Sequence, residues 1–310
     1  MKVSRRAWVL LLCLPLAAHA AARRFRIEET FTFAPETSAH ERRAFVPLPS
    51  DDPWQTITQL ELDAPFEWVH DARFGNAAAR IDVPASGLTL HVSFQVERRE
   101  RAADLAAATV DGAPSSYAAW LADEAHVRVD ARIRGIAEAQ TQGLKTPLEK
   151  ARALYAYVLK NMRYDKTGEG WGRGDIGWAC DMKYGNCTDF HALMSGLLRA
   201  CGIPARFHIG YSVPAGAAGE IAGYHCWMDF YVSGSGWVPL DASEAWKHAD
   251  KRDYFFGHHD ADRVELSAGR DLTFPGMSGA ALNYLVFPYV EADGKQAPLP
   301  GKKVHFTPLP

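Results

Sequence analysis

The sequence has no long run of lysine or arginine, no internal repeat and no low-complexity tract. A nucleic-acid-binding protein usually carries a basic stripe, and this 310-residue chain has a formal net charge of −3, so we expect no nucleic-acid partner. After the N-terminal segment, no apolar stretch approaches the roughly 20 residues that a membrane-spanning helix needs. The composition, 47% hydrophobic and 23% charged, is that of a globular protein with room for one large domain or two smaller ones.

The N-terminal segment has the pattern of a secretory signal peptide. A positive n-region, an apolar run and two overlapping small-x-small cleavage sites follow one another, at Lys2, Arg5, Arg6, Ala7–Leu16, Ala18–Ala20 and Ala20–Ala22. The apolar run is too short for a membrane anchor. We therefore predict that residues 1–22 are a signal peptide, that the mature chain begins between Ala21 and Arg23, and that it is a soluble periplasmic or secreted protein.

Two kinds of hydrophobic periodicity divide the rest of the chain. Leu88–Val96 alternates apolar and polar residues, as a half-buried strand does, and lies in a segment rich in β formers. After Pro114 the period becomes helical, with a capping box at Thr146–Glu149 and a second helix from about Cys187 that Gly202 and Pro204 end. We predict an α+β fold, with a β-rich N-terminal domain at 23–110, a core of helices and antiparallel strands at 111–265, and a C-terminal β extension at 266–310.

Cys187 has the surroundings that a nucleophilic thiol needs. It follows Gly185 and Asn186 at the start of the second helix, before the first apolar position of that helix, Phe190. The unpaired N–H groups and the positive end of the helix dipole favour a thiolate there. Such a thiol also needs a base to take its proton and a third group to hold that base.

His225 and Asp241 are the candidates for these two roles. His225 opens a predicted strand at 225–232, and Asp241 ends the next strand after Trp237–Leu240. Taken alone, a histidine at a strand end is usually structural, and an aspartate there usually forms a turn. His225 and Asp241 can fill these two roles only if their side chains meet.

Simple hairpin geometry does not bring them together. A four-residue turn at Ser233–Gly236 places Asp241 opposite Met228, which is roughly 10 Å along the strand from His225. A β-bulge near Pro239 would re-aim the aspartate toward the histidine. We therefore expect such a bulge if the two residues form a pair.

Four sequence blocks resemble the core of the transglutaminase-like superfamily. They are Gly185–His191, Arg199–Arg206, His225–Tyr231 and Gly236–Asp241. The order of cysteine, histidine and aspartate agrees as well. The resemblance implies a papain-like α+β fold with the thiol on a central helix, and it is similar in particular to exported bacterial members with a β-rich region ahead of the core. Position 186, often Asp in such proteins, is Asn here.

The resemblance also implies roles for the three residues. Cys187 would attack an amide carbonyl and form a thioester, His225 would act as base and acid, and Asp241 would orient the imidazole. Water or an amine would then release the acyl group. The backbone N–H of Cys187 would hold the oxyanion, with Trp171 or Trp178 as a further donor.

The implied substrate is a peptide, a protein or the stem peptide of peptidoglycan, and the resemblance implies no cofactor and no metal. The alternative to an enzyme is a non-catalytic exported module that binds a peptide or the cell wall on the same scaffold.

Cysteine pairing competes with the catalytic interpretation. After removal of Cys13, Cys180, Cys187, Cys201 and Cys226 remain, enough for two disulfides in an oxidising compartment. Cys187 and Cys201 would lie at opposite ends of one helix, roughly 21 Å apart, which excludes that bridge. Cys226 should alternate to the strand face away from His225. Cys180, in a predicted loop, stays a possible partner, but we predict that Cys187 is a free thiol.

Other polar residues have plainer interpretations. We expect His191 to be a packing residue of the second helix and His208 to be structural. His258, His259 and Asp260 are candidate metal ligands, but we favour a solvated loop after Gly257 for them. A zinc site at Cys180, Cys187, Cys226 and His225 is an alternative that ranks below the triad, because the spacings are not those of a known zinc module.

Overall fold

The computed structural model describes residues 22–310. The predicted signal peptide lies outside the described residues, apart from its last residue, Ala22. Within residues 22–310 we find no helix that is long and apolar enough to cross a membrane.

The first part of the described chain is made of strands. These are β1 Ala22–Phe33, β2 Arg42–Leu48, β3 Gln55–Leu62, β4 Glu67–His70, β5 Ala77–Asp82, β6 Leu88–Arg99 and β7 Arg101–Ala102. In β6 the buried residues alternate with more exposed ones, which confirms the period-two interpretation of Leu88–Val96.

Helices and short strands alternate in the middle of the chain. They are α1 Ala131–Thr141, α2 Pro147–Asn161, β8 Arg163–Tyr164, α3 Ile176–Met182, β9 Tyr184–Gly185, α4 Cys187–Ala200, β10 Ala205–Ser212, β11 Gly219–Glu220, β12 His225–Val232, β13 Gly236–Leu240, α5 Ala242–Lys247, β14 His258–His259 and β15 Arg263–Ala268. Three short 3₁₀ helices lie at Leu105–Ala107, Ser115–Trp120 and Ala249–Lys251. The chain ends with β16 Tyr289–Ala292, β17 Lys295–Gln296 and β18 Gly301–Leu309.

Two five-stranded sheets pack face to face as a β-sandwich. Their strand orders are β11-β18-β1-β6-β3 and β17-β16-β2-β5-β4. Apolar residues of both sheets, such as Phe25, Phe94, Val46 and Ile81, share one buried cluster. The C-terminal strands complete these sheets, because β18 pairs with β1 and β16 pairs with β2. The predicted C-terminal β extension therefore lies in the sheets of the N-terminal region, and the domain boundaries themselves stay predictions.

Beside the sandwich, the helices pack on a separate four-stranded sheet with the strand order β13-β12-β10-β15. Helix α4 lies at its centre, and every residue of that helix from Cys187 to Arg199 is buried. Phe190 and Met194 of α4 share an apolar cluster with Met228 and Phe230 of β12. This confirms the predicted α+β fold with a central helix packed on an antiparallel sheet.

Local sequence signals set the ends of the two predicted helices. In α2, Thr146 and Glu149 form the capping box, with Pro147 at the first helical position. Helix α4 begins at Cys187 with Asn186 as its N-cap. The chain after α4 passes through Gly202 at φ +72°, the left-handed conformation that favours glycine at a helix end.

The predicted register of the β12–β13 hairpin is wrong by one residue. Val232 pairs with Gly236, so the loop is Ser233–Ser235, three residues instead of four. The register then runs without interruption to Met228 opposite Leu240, so the bulge predicted near Pro239 is absent from this hairpin. Three-residue hairpin loops need a residue in the left-handed region, and Gly234 and Gly236 both have positive φ, +85° and +75°.

Candidate active site

Asp189 organises the backbone around Cys187. Its buried carboxylate accepts the N–H of Asn186 at 3.0 Å, of Gly172 at 2.7 Å and of Gly174 at 3.0 Å. These bonds join the start of α4 to the glycine-rich loop that precedes α3. The arrangement fixes Cys187 at the first helical position, where its backbone N–H has no intrahelical acceptor.

The structure brings the three predicted residues together. The Nε2 atom of His225 lies 2.7 Å from Oδ2 of Asp241. Since Nε2 is used there, the other ring nitrogen, Nδ1, is the one left to interact with Cys187, a hydrogen-bond partner that raises the pKa of His225. Exposure of the residues is 2% for Cys187, 5% for His225 and 0% for Asp241. The geometry is that of a thiol, a base and an orienting carboxylate in a water-poor setting.

Asp241 is held in place by more than the histidine. Its Oδ1 accepts the hydroxyl of Ser243 and the N–H of Glu244, both at 2.9 Å, so Asp241 also caps helix α5. Its Oδ2 accepts Nη1 of Arg263 at 2.7 Å. Arg263 in turn donates to Asp260 through Nη2 at 2.9 Å. The carboxylate is thus fixed in both position and charge.

The expectation of a solvated loop at residues 258–260 is wrong. His258 and His259 form strand β14, which pairs with β7, and His259 is 1% exposed. Asp260 forms the ion pair with Arg263 that supports Asp241. The sequence did not indicate that His259 is buried, because polar residues next to a glycine usually indicate an exposed loop.

The electrostatics favour a thiolate on Cys187. Burial by itself raises the pKa of that thiol, but hydrogen bonds from Cys226 and His225 and the positive charge of His225 outweigh burial and bring the pKa well below its ordinary value. Burial by itself lowers the pKa of His225, but the charge and hydrogen bond of Asp241 and the contact with Cys187 raise it from 6.5 to about 9. These two shifts favour a thiolate–imidazolium pair over a neutral thiol and imidazole.

The charge of Asp241 is also settled by its partners. Burial opposes ionisation, but the positive charges of His225 and Arg263 and the hydrogen bond with His225 keep the pKa of Asp241 well below its ordinary value. Asp241 is thus an anion throughout the neutral range, as an orienting group for an imidazolium has to be.

Two further residues, His191 and Cys226, lie at the site although the sequence did not predict them there. His191 was expected to be a packing residue, but its Nε2 accepts the N–H of Ala242 at 3.2 Å and its Nδ1 lies 3.7 Å from the sulfur of Cys226. Cys226 was expected to point away from Cys187, whereas both side chains belong to one buried cluster and Cys226 is a hydrogen-bond partner that lowers the pKa of the Cys187 thiol. The signal for His191 was present, because residues four apart on a helix share a face and His191 is one turn after Cys187.

The reason for the error about Cys226 is the side of the sheet on which α4 packs. The face of β12 that carries Cys226, Met228 and Phe230 is the one that α4 covers. Trp227 and Asp229 lie on the opposite face, where Asp229 binds Arg101 at 2.7 Å. His225 is the first residue of the strand, and Cys187 is among its hydrogen-bond partners, which raise the pKa of His225.

The cysteines of residues 22–310, which are Cys180, Cys187, Cys201 and Cys226, carry free thiols. Cys180 lies on helix α3, not in the predicted loop, and packs into the apolar cluster of the helices. Cys187 and Cys226 belong to the other cluster. Across the described residues, no group of three or more His, Cys, Asp or Glu side chains has the geometry to hold a metal ion.

Of the two predicted tryptophan donors, Trp171 has another hydrogen-bond acceptor. Trp171 donates its Nε1–H to the carbonyl of Gly168 at 3.1 Å. Trp178 of α3 packs edge-on against Tyr184 of β9. His208, expected to be structural, is buried between Asp229 and Glu265, with which it forms ion pairs at 3.3 and 3.1 Å.

The chain is similar to known proteins over the region that contains this site. Residues 134–242 match the transglutaminase-like superfamily, and this stretch includes Cys187, His225 and Asp241. An uncharacterized protein of Haemophilus influenzae is 24% identical over 306 residues, which covers 84% of this chain and 83% of that protein. A structure described as a "putative cysteine protease" from Cytophaga hutchinsonii is similar with a TM-score of 0.63 and 16% identity, over 94% of this chain and 92% of that chain.

This chain therefore contains a transglutaminase-like superfamily domain. It shares the overall fold of the Cytophaga hutchinsonii structure.

Proposed function

We propose that this protein is a thiol-dependent acyl-transfer enzyme that acts on amide bonds of peptides or proteins through a thioester on Cys187. The observation that carries the proposal is the buried contact of Cys187 with His225, whose other ring nitrogen lies 2.7 Å from Asp241. Each group has the protonation state that such chemistry needs. A scaffold that only binds peptides has no use for a buried thiolate–imidazolium pair, which is costly to desolvate.

The reaction begins with attack of the Cys187 sulfur on the amide carbonyl. The negative charge that develops on the carbonyl oxygen is stabilised by the backbone N–H of Cys187 at the positive end of α4. His225 gives its Nδ1 proton to the departing amine, while Asp241 keeps the ring in the productive orientation. A thioester on Cys187 remains.

The second half of the reaction releases the acyl group. His225, now neutral, takes a proton from the incoming water or amine, which attacks the thioester carbonyl and regenerates the thiolate. Water gives a peptidase or amidase, and an amine gives a transglutaminase. Because Cys187 is buried, the substrate has to displace the side chains packed around it before the carbonyl reaches the sulfur.

The test is turnover with a matched variant. The mature chain is incubated with casein and a fluorescent primary amine, and both new amino termini and amine incorporation are measured. We expect one of the two products with the native chain and neither with Cys187→Ala, whereas Cys201→Ala should behave as the native chain does. Equal product with Cys187→Ala would contradict the proposal, and an inert native thiol would favour the non-catalytic binding module.

We also propose that the chain is exported to the periplasm or secreted. The support is the n-region, apolar run and small-x-small pattern within residues 1–22. Mass analysis of the protein recovered from an exporting bacterial host should show an N-terminus between Ala21 and Arg23. Recovery of the chain with Met1 intact, in the cytoplasmic fraction alone, would show that the pattern does not act as a signal.

A further inference from the structure

The thiol of Cys226 lies beside the thiol of Cys187, and the reaction proposed above does not use it. Both side chains belong to one buried cluster, and Cys226 is 0% exposed. Cys226 acts as a hydrogen-bond partner that lowers the pKa of the Cys187 thiol. Since an S–H group is both a donor and an acceptor, the direction of this bond depends on the other neighbours of Cys226.

His191 decides the direction. Its Nε2 accepts the backbone N–H of Ala242 at 3.2 Å, and its Nδ1 lies 3.7 Å from the sulfur of Cys226. Burial lowers the pKa of His191 from 6.5 to about 4, so the ring is neutral near pH 7 and carries one proton. A backbone amide only donates, so the proton is on Nδ1 and points at the sulfur of Cys226.

We propose that Cys226 is a positioning residue: its sulfur accepts the Nδ1–H of His191, and its S–H donates to the thiolate of Cys187. This inference rests on the proposed role of Cys187 as the nucleophile. The donors form a chain from the N–H of Ala242 through His191 and Cys226 to Cys187. Helices α5 and α4 and strand β12 hold its members, so the last donor is aimed before any substrate arrives.

Such a chain stabilises the negative sulfur with a donor other than the imidazole. His225 supplies the positive charge, and Cys226 supplies a hydrogen bond that stays in place when His225 gives up its proton. Hydrogen bonds to charged groups are stronger than those between neutral groups, and more so where water is excluded. The thiolate is therefore expected to persist at a lower pH than the charge of His225 alone would allow.

Other charged and titratable groups also face the two thiols. They are Tyr164, Asp189, Tyr224, Asp241, Arg270 and Tyr284. Burial raises the pKa of the three tyrosines, so these stay protonated while Cys187 titrates. A substitution at Cys226 leaves all six groups in place and removes one donor.

The experiment is alkylation of Cys187 by iodoacetamide as a function of pH, with peptide mapping to separate Cys187 from the other thiols. In Cys226→Ala the midpoint for Cys187 should move up by about one to two pH units, the value of one hydrogen bond to a charged group. In Cys226→Ser, whose hydroxyl is still a donor, the midpoint should return toward the native one. Cys201→Ala, a change at the far end of α4, should leave it unchanged.

Two results distinguish this inference from the proposed function. An unchanged midpoint in folded Cys226→Ala would overturn the role of Cys226 and leave Cys187 as the nucleophile. A midpoint near the ordinary value of about 8.5 in the native chain would overturn both.

The tautomer of His191, read by ¹⁵N NMR on the native chain, is a second test that needs no variant. We expect a proton on Nδ1, and a neutral ring with its proton on Nε2 would overturn the donor chain.

Discussion

The Nε2 atom of His225 lies 2.7 Å from Oδ2 of Asp241, although the two residues are not opposite each other in the sheet. Extending the observed register by one pair places Asp241 opposite Trp227, which is on the same face of β12 as His225 and two residues away. Diagonal neighbours of this kind are within reach of an imidazole and a carboxylate. The length of the turn, three residues instead of four, therefore determines whether the pair forms.

Removing the charge of Asp241 should separate orientation from folding. Asn at this position still caps helix α5, so Asp241→Asn should fold. The substitution replaces the ion pair of Asp241 with Arg263 by a weaker contact to a neutral amide. We expect kcat/KM to fall by roughly 10³-fold or more, because the imidazole loses the group that orients it and stabilises its charge. Without that carboxylate the pKa of His225 should fall, which moves the alkaline limit of activity to lower pH.

The matched control is Asp253→Asn, a change at a fully exposed carboxylate. It should leave both the rate and its pH profile as they are in the native chain. Full activity of Asp241→Asn, with an unmoved alkaline limit, would show that the carboxylate does not orient His225.

The pH dependence of the reaction follows from the two shifted groups. The active form has Cys187 ionised and His225 protonated, so kcat/KM should rise as Cys187 loses its proton and fall as pH passes through about 9, the pKa of His225. Because that pKa is raised from 6.5, the protonated ring also contributes folding stability. This contribution should be complete below pH 6.5 and be lost as pH rises through about 9.

Measurements of kcat/KM and of thermal unfolding from pH 5 to about pH 10 check both statements. In Asp241→Asn the loss of stability on the alkaline side should begin at a lower pH. An activity that keeps rising above pH 10 or so would mean that a neutral His225 is the active form.

Gly185 is predicted to be necessary for the shape of the helix start. It has φ +155°, and a Cβ at this position would overlap the carboxylate of Asp189. Gly185→Ala should therefore destabilise the fold by about 2–4 kcal/mol, because both the strain and the clash disturb Asp189 and its three backbone donors.

Gly202→Ala is the control that separates the backbone strain of a positive φ from the steric overlap of the new Cβ. Gly202 has φ +72°, but a Cβ there meets nothing within 4 Å, so the cost should be about 1 kcal/mol. Chemical denaturation of both variants gives the comparison. Equal costs at the two positions would mean that the contact between Gly185 and Asp189 does not constrain the site.

Much of the fold was predictable because its signals are local. The capping box of α2, the start of α4 at Cys187 and the strand at 225–232 all follow from a few neighbouring residues. The pairing of β18 with β1 was not predictable in the same way, because it joins residues from the two ends of the chain. The local sequence of a strand does not specify which other strand it pairs with. Helix α3 was missed because seven residues after a glycine-rich loop show too little periodicity.

The site was predicted less completely than the fold. Cys187, His225 and Asp241 were predicted from the four sequence blocks. Arg263 and Asp260, which hold the carboxylate of Asp241, lie outside those blocks and were not predicted at the site. The contact of Cys226 with Cys187 depends on which face of β12 the helix covers, and alternation along a strand does not tell which face that is. The distance between His225 and Asp241 depended on a single residue of turn length.

The most direct test of the account is to trap an acyl group on Cys187. The mature chain is mixed with p-nitrophenyl acetate at neutral pH, quenched in acid and mapped by mass spectrometry. We predict a rapid, stoichiometric release of nitrophenolate and one acetyl group on Cys187, with Cys180, Cys201 and Cys226 unmodified on the same timescale. Cys187→Ala should remain folded by circular dichroism and show no burst. Acetylation spread over several cysteines, or a burst that survives in Cys187→Ala, would contradict the assignment of Cys187 as the nucleophile.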